Sequence, residues 1–168
     1  MFTCKYCSTE FLEHKPNCPN CGAPIKVSEN NPKTGEPRSI REVCAKYEGT
    51  KNLHMDETID ARRMTNMRNS FNIPANETVI MLYDDTIFGS NKVGFAICSG
   101  GLYWKNDWSV DTKRTFLNWE AFTQREIGLD GYHIVLGRGD TIGMAGVGDE
   151  QARQQILTML REIKAILQ

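Results

Sequence analysis

Four cysteines in the first 21 residues are the densest concentration of reactive side chains in the sequence: Cys4, Cys7, Cys18 and Cys21. Each pair has x2 spacing, and ten residues separate the pairs. Two thiolates of one tight turn can reach the same ion, and a hairpin-sized connection brings the second pair round to complete a tetrahedron. The spacing therefore predicts one structural Zn²⁺ held by all four. A shell of four thiolates leaves no position for a substrate water, so the metal is expected to be structural rather than catalytic. Iron suits the same donors, and two disulfides or reduced core thiols are the non-metal alternatives. Some cross-link is needed, because about 26 residues cannot build a hydrophobic core unaided. His14 is read as a surface residue, since four thiolates already fill the shell.

The remaining chemistry-bearing residues offer less. Cys44 and Cys98 read as reduced thiols, with no spacing that brings either to His54 or His133 as a nucleophile and base. Asp84-Asp85 is a carboxylate pair able to hold a divalent ion, read here as a solvated strand end. Arg62, Arg63 and Arg68 form the one locally basic patch, with Asp60 close enough to neutralise part of it. Trp108 sits in the polar stretch KNDWSVDTKR and is the ring expected to be exposed, whereas Trp104, Trp119 and Tyr103 are assigned to the core. Arg138-Gly139-Asp140 reads only as a turn. No phosphate-binding G-x-x-x-x-G-K-[ST], no H-E-x-x-H and no G-x-S-x-G is present in the sequence. The chain is therefore expected not to be an enzyme.

Composition narrows the classes further. The 168 residues carry 20 Lys+Arg against 21 Asp+Glu, a formal net charge of −1, with 40% apolar residues. That balance is globular and argues against a protein built mainly to grip nucleic acid. Clustered cysteines and the lack of a secretory signal point to a reducing compartment, the cytoplasm. No apolar run approaches the roughly 18 residues needed to span a bilayer.

The elements that must position these residues follow from punctuation and periodicity. Five of the six prolines fall in the first 37 residues, and VSENNPKTGEP reads as a flexible linker. The chain divides into 1–26 around the cysteines, a linker at 27–37, a helical segment at 38–75, and a larger domain at 76–168. Ser39-x-x-Glu42 matches a capping box for a helix running to about Tyr47. Asp56 is the expected N-cap of a second helix to about Ser70, with Met64, Met67 and Phe71 on one face. Pro74 ends it. Beyond Pro74 the period becomes two. Seven short strands are expected, at about 79–84, 93–98, 102–105, 115–119, 126–129, 132–136 and 141–145, joined largely by tight turns such as Asp130-Gly131. Ala152, Ile156, Met159, Leu160, Ile163, Ile166 and Leu167 then mark an amphipathic helix capped by Asp149, the natural cover for the sheet.

Cys4-Lys5-Tyr6-Cys7 and Asn17-Cys18-Pro19-Asn20-Cys21-Gly22-Ala23-Pro24 resemble the zinc-ribbon modules of bacterial and archaeal proteins. The segment from Asp84-Asp85-Thr86-Ile87-Phe88-Gly89-Ser90 through Gly94-Phe95-Ala96-Ile97 to Gly101-Leu102-Tyr103-Trp104, with the later Leu117-Asn118-Trp119, is similar to bacterial pleckstrin-homology-like (PH-like) domains found beside zinc ribbons. The resemblance implies an α+β chain: a Cys4 zinc ribbon, a short helical segment, then a PH-like antiparallel seven-stranded sheet or barrel capped by a C-terminal helix.

The function expected on this basis is a zinc-binding adaptor or scaffold that meets a protein partner through the ribbon and the PH-like domain. Homo-oligomerisation is left open. A nucleic-acid-associated ribbon protein is the first alternative, with Arg62, Arg63, Arg68 and Trp108 as its contact residues. An enzyme of unrecognised type is the second. Phosphoinositide membranes are not expected partners, because the loop DDTIFGSNK has two Asp and one Lys where a multiply charged headgroup needs cations.

Overall fold

The chain divides into two units, residues 1–36 and residues 37–168. The computed structural model describes residues 39–86, 89–107, 109–146 and 149–168, with Asn20, Cys21 and the backbone of residues 2, 3, 10 and 11. In the first unit β1 (Phe2–Thr3) and β2 (Glu10–Phe11) pair antiparallel, Phe2 opposite Phe11. The expected linker at 27–37 lies outside the described residues.

In the second unit, helix α1 (Ile40–Lys46) starts where the capping signal predicts: Ser39 Oγ accepts the Glu42 amide at 3.2 Å. The chain then departs from the helical reading of 38–75. Gly49 and Asn52 adopt positive φ, +90° and +64°, and Leu53–Met55 forms a strand, β3. Leu53 and Met55 alternate inward around His54, a period-two signal only three residues long. Asp56 does not cap the second helix. It begins a 3₁₀ turn, Asp56–Thr58, and pairs with Arg41 at 2.8 Å. The cap is Asp60, whose Oδ1 accepts the Arg63 amide at 2.9 Å ahead of α2 (Ala61–Phe71). Asn72 ends α2 in the left-handed region, followed by Ile73-Pro74.

The seven expected strands are present as β4 (Val79–Asp84), β5 (Gly94–Cys98), β6 (Gly101–Lys105), β7 (Phe116–Asn118), β8 (Gly128–Asp130), β9 (His133–Val135) and β10 (Thr141–Gly143). They do not form one seven-stranded sheet, and no closed barrel is found among the described residues. Four of them join β3 in a five-stranded antiparallel sheet, β3-β4-β5-β6-β7, and the other three form a separate one, β10-β9-β8. The division falls at a second departure from the sequence reading: Asn118 caps a short helix, α3 (Trp119–Thr123), by accepting the Ala121 amide at 2.8 Å. That helix takes the chain out of the first sheet before β8 can extend it.

Two cores sandwich the larger sheet. On one face Met81, Tyr83, Phe95, Ile97, Leu102 and Trp104 pack with the three-stranded sheet and with α4 (Glu150–Leu167). On the other, Leu82, Ala96, Cys98 and Tyr103 pack against Met67 and Phe71 of α2. Strand β4 is thus buried on both faces, which explains its unbroken apolar run Val-Ile-Met-Leu-Tyr. A register shift between Val79 and Met81 places Ile80 and Met81 together in the first core. Asp149 caps α4 as expected, accepting the Gln151 amide at 2.9 Å. Leu157 and Arg153 join its buried face, while Leu167 is exposed. Gly94 is dictated by contact: a Cβ there would lie 2.0 Å from the Tyr83 carbonyl oxygen.

Candidate functional site

Of the four expected metal ligands, Cys21 lies exposed in a turn with Asn20. Cys4, Cys7 and Cys18 lie outside the described residues, as do His14 and Trp108. Among the described residues no group of three or more His, Cys, Asp or Glu side chains is placed to hold a metal ion.

The three arginines singled out on α2 point to different tasks. Arg68 is drawn into the fold: its Nη1 donates to the Pro74 carbonyl at 3.0 Å and its Nη2 to that of Glu77 at 2.8 Å. This clasps the helix to the chain entering β4. Arg63 Nε donates to Asn91 Oδ1 at 2.7 Å, and its Nη2 lies 3.6 Å from Asp84 Oδ2. Arg62 and the partly exposed Arg63 both line the open groove where α2 meets the β4–β5 connection, a space of about 440 Å³ shared with Asp60, Asn66, Ser90 and Lys92. Asn66 and Ser70 of α2 bond the Ser90 and Lys92 carbonyls at 3.2 and 2.7 Å, so helix and connection are laced together.

Asp84 and Asp85 are not a solvated strand end. Asp84 is 3% exposed; its Oδ1 accepts the Thr86 amide and hydroxyl at 3.0 and 2.6 Å, and its Oδ2 has no hydrogen-bond partner. Asp85 Oδ1 accepts the Tyr83 hydroxyl at 2.6 Å and the Gly146 amide at 2.7 Å. Burial raises the Asp85 carboxyl above the ordinary range despite those bonds. Strand β4 is buried on both faces, so Asp84 at its end is enclosed, and Asp85 just beyond it reaches back to the Tyr83 hydroxyl. Each is committed to its own loop, so the pair does not converge on one open point.

The thiols are equally enclosed. Cys44 and Cys98 are fully buried, and burial pushes each up to about 12. Both are therefore protonated at neutral pH, and a protonated thiol is a poor nucleophile. His54 sits half-buried on β3, its pKa lowered first by burial and then by the Arg63 charge. Trp104 is fully buried and Tyr103 nearly so, while Trp119 Nε1 donates to the Cys98 and Ser99 carbonyls at 3.1 and 3.0 Å.

Two features went unmarked in the sequence. The first is a groove of about 310 Å³ where β8, an edge strand, runs beside the start of α4. Leu129 lines it, and Tyr132 stands 54% exposed at its rim with the Arg153 guanidinium 4.5 Å from its ring centroid. A Cβ at Gly128 would meet nothing within 4 Å. The second is a buried ion pair: Arg125 Nη2 donates to Asp140 Oδ2 at 3.1 Å, with the two side chains 3% and 1% exposed. Arg125 Nη1 also holds the Gly137 carbonyl at 3.1 Å, so Arg138-Gly139-Asp140 is indeed a turn, one anchored from beneath. Nothing local in the sequence pairs Tyr132 with Arg153, or Arg125 with Asp140.

Comparison of the chain with protein-family models, with curated proteins and with solved structures finds no match in any of the three. Among the described residues no helix is long and apolar enough to cross a membrane.

Proposed function

We propose that the chain is a non-enzymatic adaptor: a zinc ribbon, with Cys4, Cys7, Cys18 and Cys21 around one structural Zn²⁺, joined to a PH-like domain that takes a protein partner. The reading rests on cysteine spacing for the ribbon. For the domain it rests on the strand order, with four strands after Pro74 in one sheet, three in a second and a long C-terminal helix packed across them. The observation that carries partner binding is the groove between the β8 edge and α4. An edge strand has unpaired backbone groups that an extended peptide can use, and the flanking groove, where Leu129 and Tyr132 face Glu150, Arg153 and Gln154, supplies side-chain selectivity. Tyr132, held upright by Arg153, is the amphipathic anchor favoured at such contacts.

Selection of a displayed random-peptide library on the full chain tests this. Enriched peptides are expected to lose binding to Tyr132→Ala and Leu129→Asp variants that melt like the parent. Peptides that bind parent and variants alike would remove the groove from the proposal.

A further inference from the structure

On the other side of the α3–β8 connection, a second open groove of about 310 Å³ is lined by Arg114, Arg125 and Arg138. The three come from the chain entering β7, the segment after α3 and the β9–β10 turn, so no local run of basic residues announces them. Glu120 is the acidic residue on the wall, and Asp140 neutralises Arg125 from behind. Lys113 lies over the same turn, its Nζ 3.2 Å from where a Cβ at Gly139 would sit. Four cations therefore stand against two carboxylates, a surplus of two charges in a protein whose formal net charge is −1. Neither Arg114 nor Arg138 has an ion-pair partner among the described residues.

The backbone adds a second, independent observation. Gly137, Arg138 and Gly139 all have positive φ, at +71°, +54° and +82°. The left-handed region suits glycine and disfavours side chains with a Cβ, and such strain collects where a side chain has a task. At Arg138 the turn accepts that strain and thereby presents a guanidinium on the groove. Arg125, fixed by Gly137 and Asp140, gives the groove a pre-organised floor. Guanidinium forks match the geometry of phosphoryl and carboxylate oxygens, and a surplus of two charges matches a dianion.

We propose that this groove is a binding site for a phosphoryl dianion, with Arg114 and Arg138 as its exposed contacts and Arg125 as its buried, fixed one. The proposal stands apart from the peptide groove, which lies on different residues. The phosphoryl group is either free phosphate or the monoester of a small soluble molecule.

The test is an NMR titration of the full-length protein with inorganic phosphate and, separately, with phosphoserine, at constant ionic strength set by about 150 mM chloride. Saturable shifts are expected at the Arg114, Arg138 and Gly139 amides and at the arginine Nε–H groups. Tighter binding of phosphoserine assigns the site to a monoester; tighter binding of phosphate assigns it to the free anion. Arg138→Gly is the decisive variant, because glycine relieves the positive φ while removing the guanidinium. It is expected to melt at or above the parent temperature yet bind about tenfold more weakly, the loss of one charge-assisted contact. Arg114→Ala should weaken binding similarly. Shifts that fail to saturate, or affinities within about twofold of the parent in both variants, would overturn the assignment.

Discussion

The Asp85 carboxylate accepts the Gly146 amide at 2.7 Å, tying the end of β4 to the turn after β10 across 61 positions of sequence. The approach is close enough to demand glycine, since a Cβ at Gly146 would lie 2.5 Å from the Asp85 carbonyl oxygen. The same oxygen of Asp85 takes the Tyr83 hydroxyl, so one half-buried carboxylate secures two loops and a core ring.

This clasp has a pH signature. Burial raises the native pKa of Asp85 above its unfolded value. The native state then binds the proton more tightly, so Asp85's contribution is fully present below the ordinary carboxylate range and is lost as pH rises through its native pKa. Asparagine at this position accepts the same two hydrogen bonds without a charge. Asp85→Asn should therefore match or exceed the parent in stability at pH 7, and its relative advantage should shrink toward pH 4. Thermal melts of both proteins across that range check it. An advantage that grows as pH falls would show that the hydrogen bonds to the ionised carboxylate outweigh its burial.

At the start of α2 the carboxylate that caps the helix can be told from the one expected to. Asp60 satisfies a free amide of the first turn, whereas Asp56, 24% exposed, faces an Arg41 that is 41% exposed and would keep Glu57 as a second carboxylate partner. Removing an N-cap carboxylate costs about 1 kcal/mol; removing one member of an exposed ion pair costs about 0–1 kcal/mol. Asp60→Ala should thus lower the denaturation free energy by about 1 kcal/mol and Asp56→Ala by less. Urea unfolding of the two variants decides the order.

The contrast between those two aspartates shows what was legible in the sequence. Where period and punctuation agree over five or more residues, the elements are found near where they were read, as with β4, β5, β6 and α4. Short elements were lost to their neighbours. The three residues of β3 carry too little alternation to interrupt a helical reading, and Asn118 opens a helix inside what read as a strand ending at Trp119. Separation into two sheets is a tertiary outcome, set by where α3 sends the chain. The arginine groove was illegible for the same reason: Arg114, Arg125 and Arg138 belong to three separate elements, and only the fold converges them. The patch that was legible, Arg62, Arg63 and Arg68, is sequence-local, yet the fold spends two of its members on Asn91, Asp84 and backbone carbonyls.

For the first unit the expectation remains chemical. The full chain should carry about one equivalent of zinc per molecule, since a closed thiolate shell binds a single ion. Metal analysis of Cys18→Ser should show that zinc greatly reduced, because three thiolates and a hydroxyl make a far poorer shell. Full retention in the variant would exclude the four-cysteine assignment. In the parent, zinc release should increase as acid protonates the thiolates.

The Arg125–Asp140 pair makes the sharpest energetic prediction. Both side chains are almost wholly buried, and Asp140 Oδ1 already lacks a hydrogen-bond partner. Arg125→Met would leave the carboxylate buried beside the Gly137 turn with no opposing charge, while the Gly137 carbonyl would lose its arginine donor but keep the Asp140 amide at 3.0 Å. Breaking a buried pair from one side costs about 3–5 kcal/mol, a large fraction of the about 5–15 kcal/mol that holds a typical domain folded. Replacing both partners by apolar residues removes the uncompensated charge as well as the attraction, and such exchanges are commonly neutral or better. Arg125→Met alone should therefore be severely destabilised, and adding Asp140→Leu should recover most of the loss. Equilibrium unfolding of the two single variants and the double variant closes the cycle. A double variant no more stable than Arg125→Met would mean that the arginine acts mainly through the Gly137 carbonyl, not through Asp140.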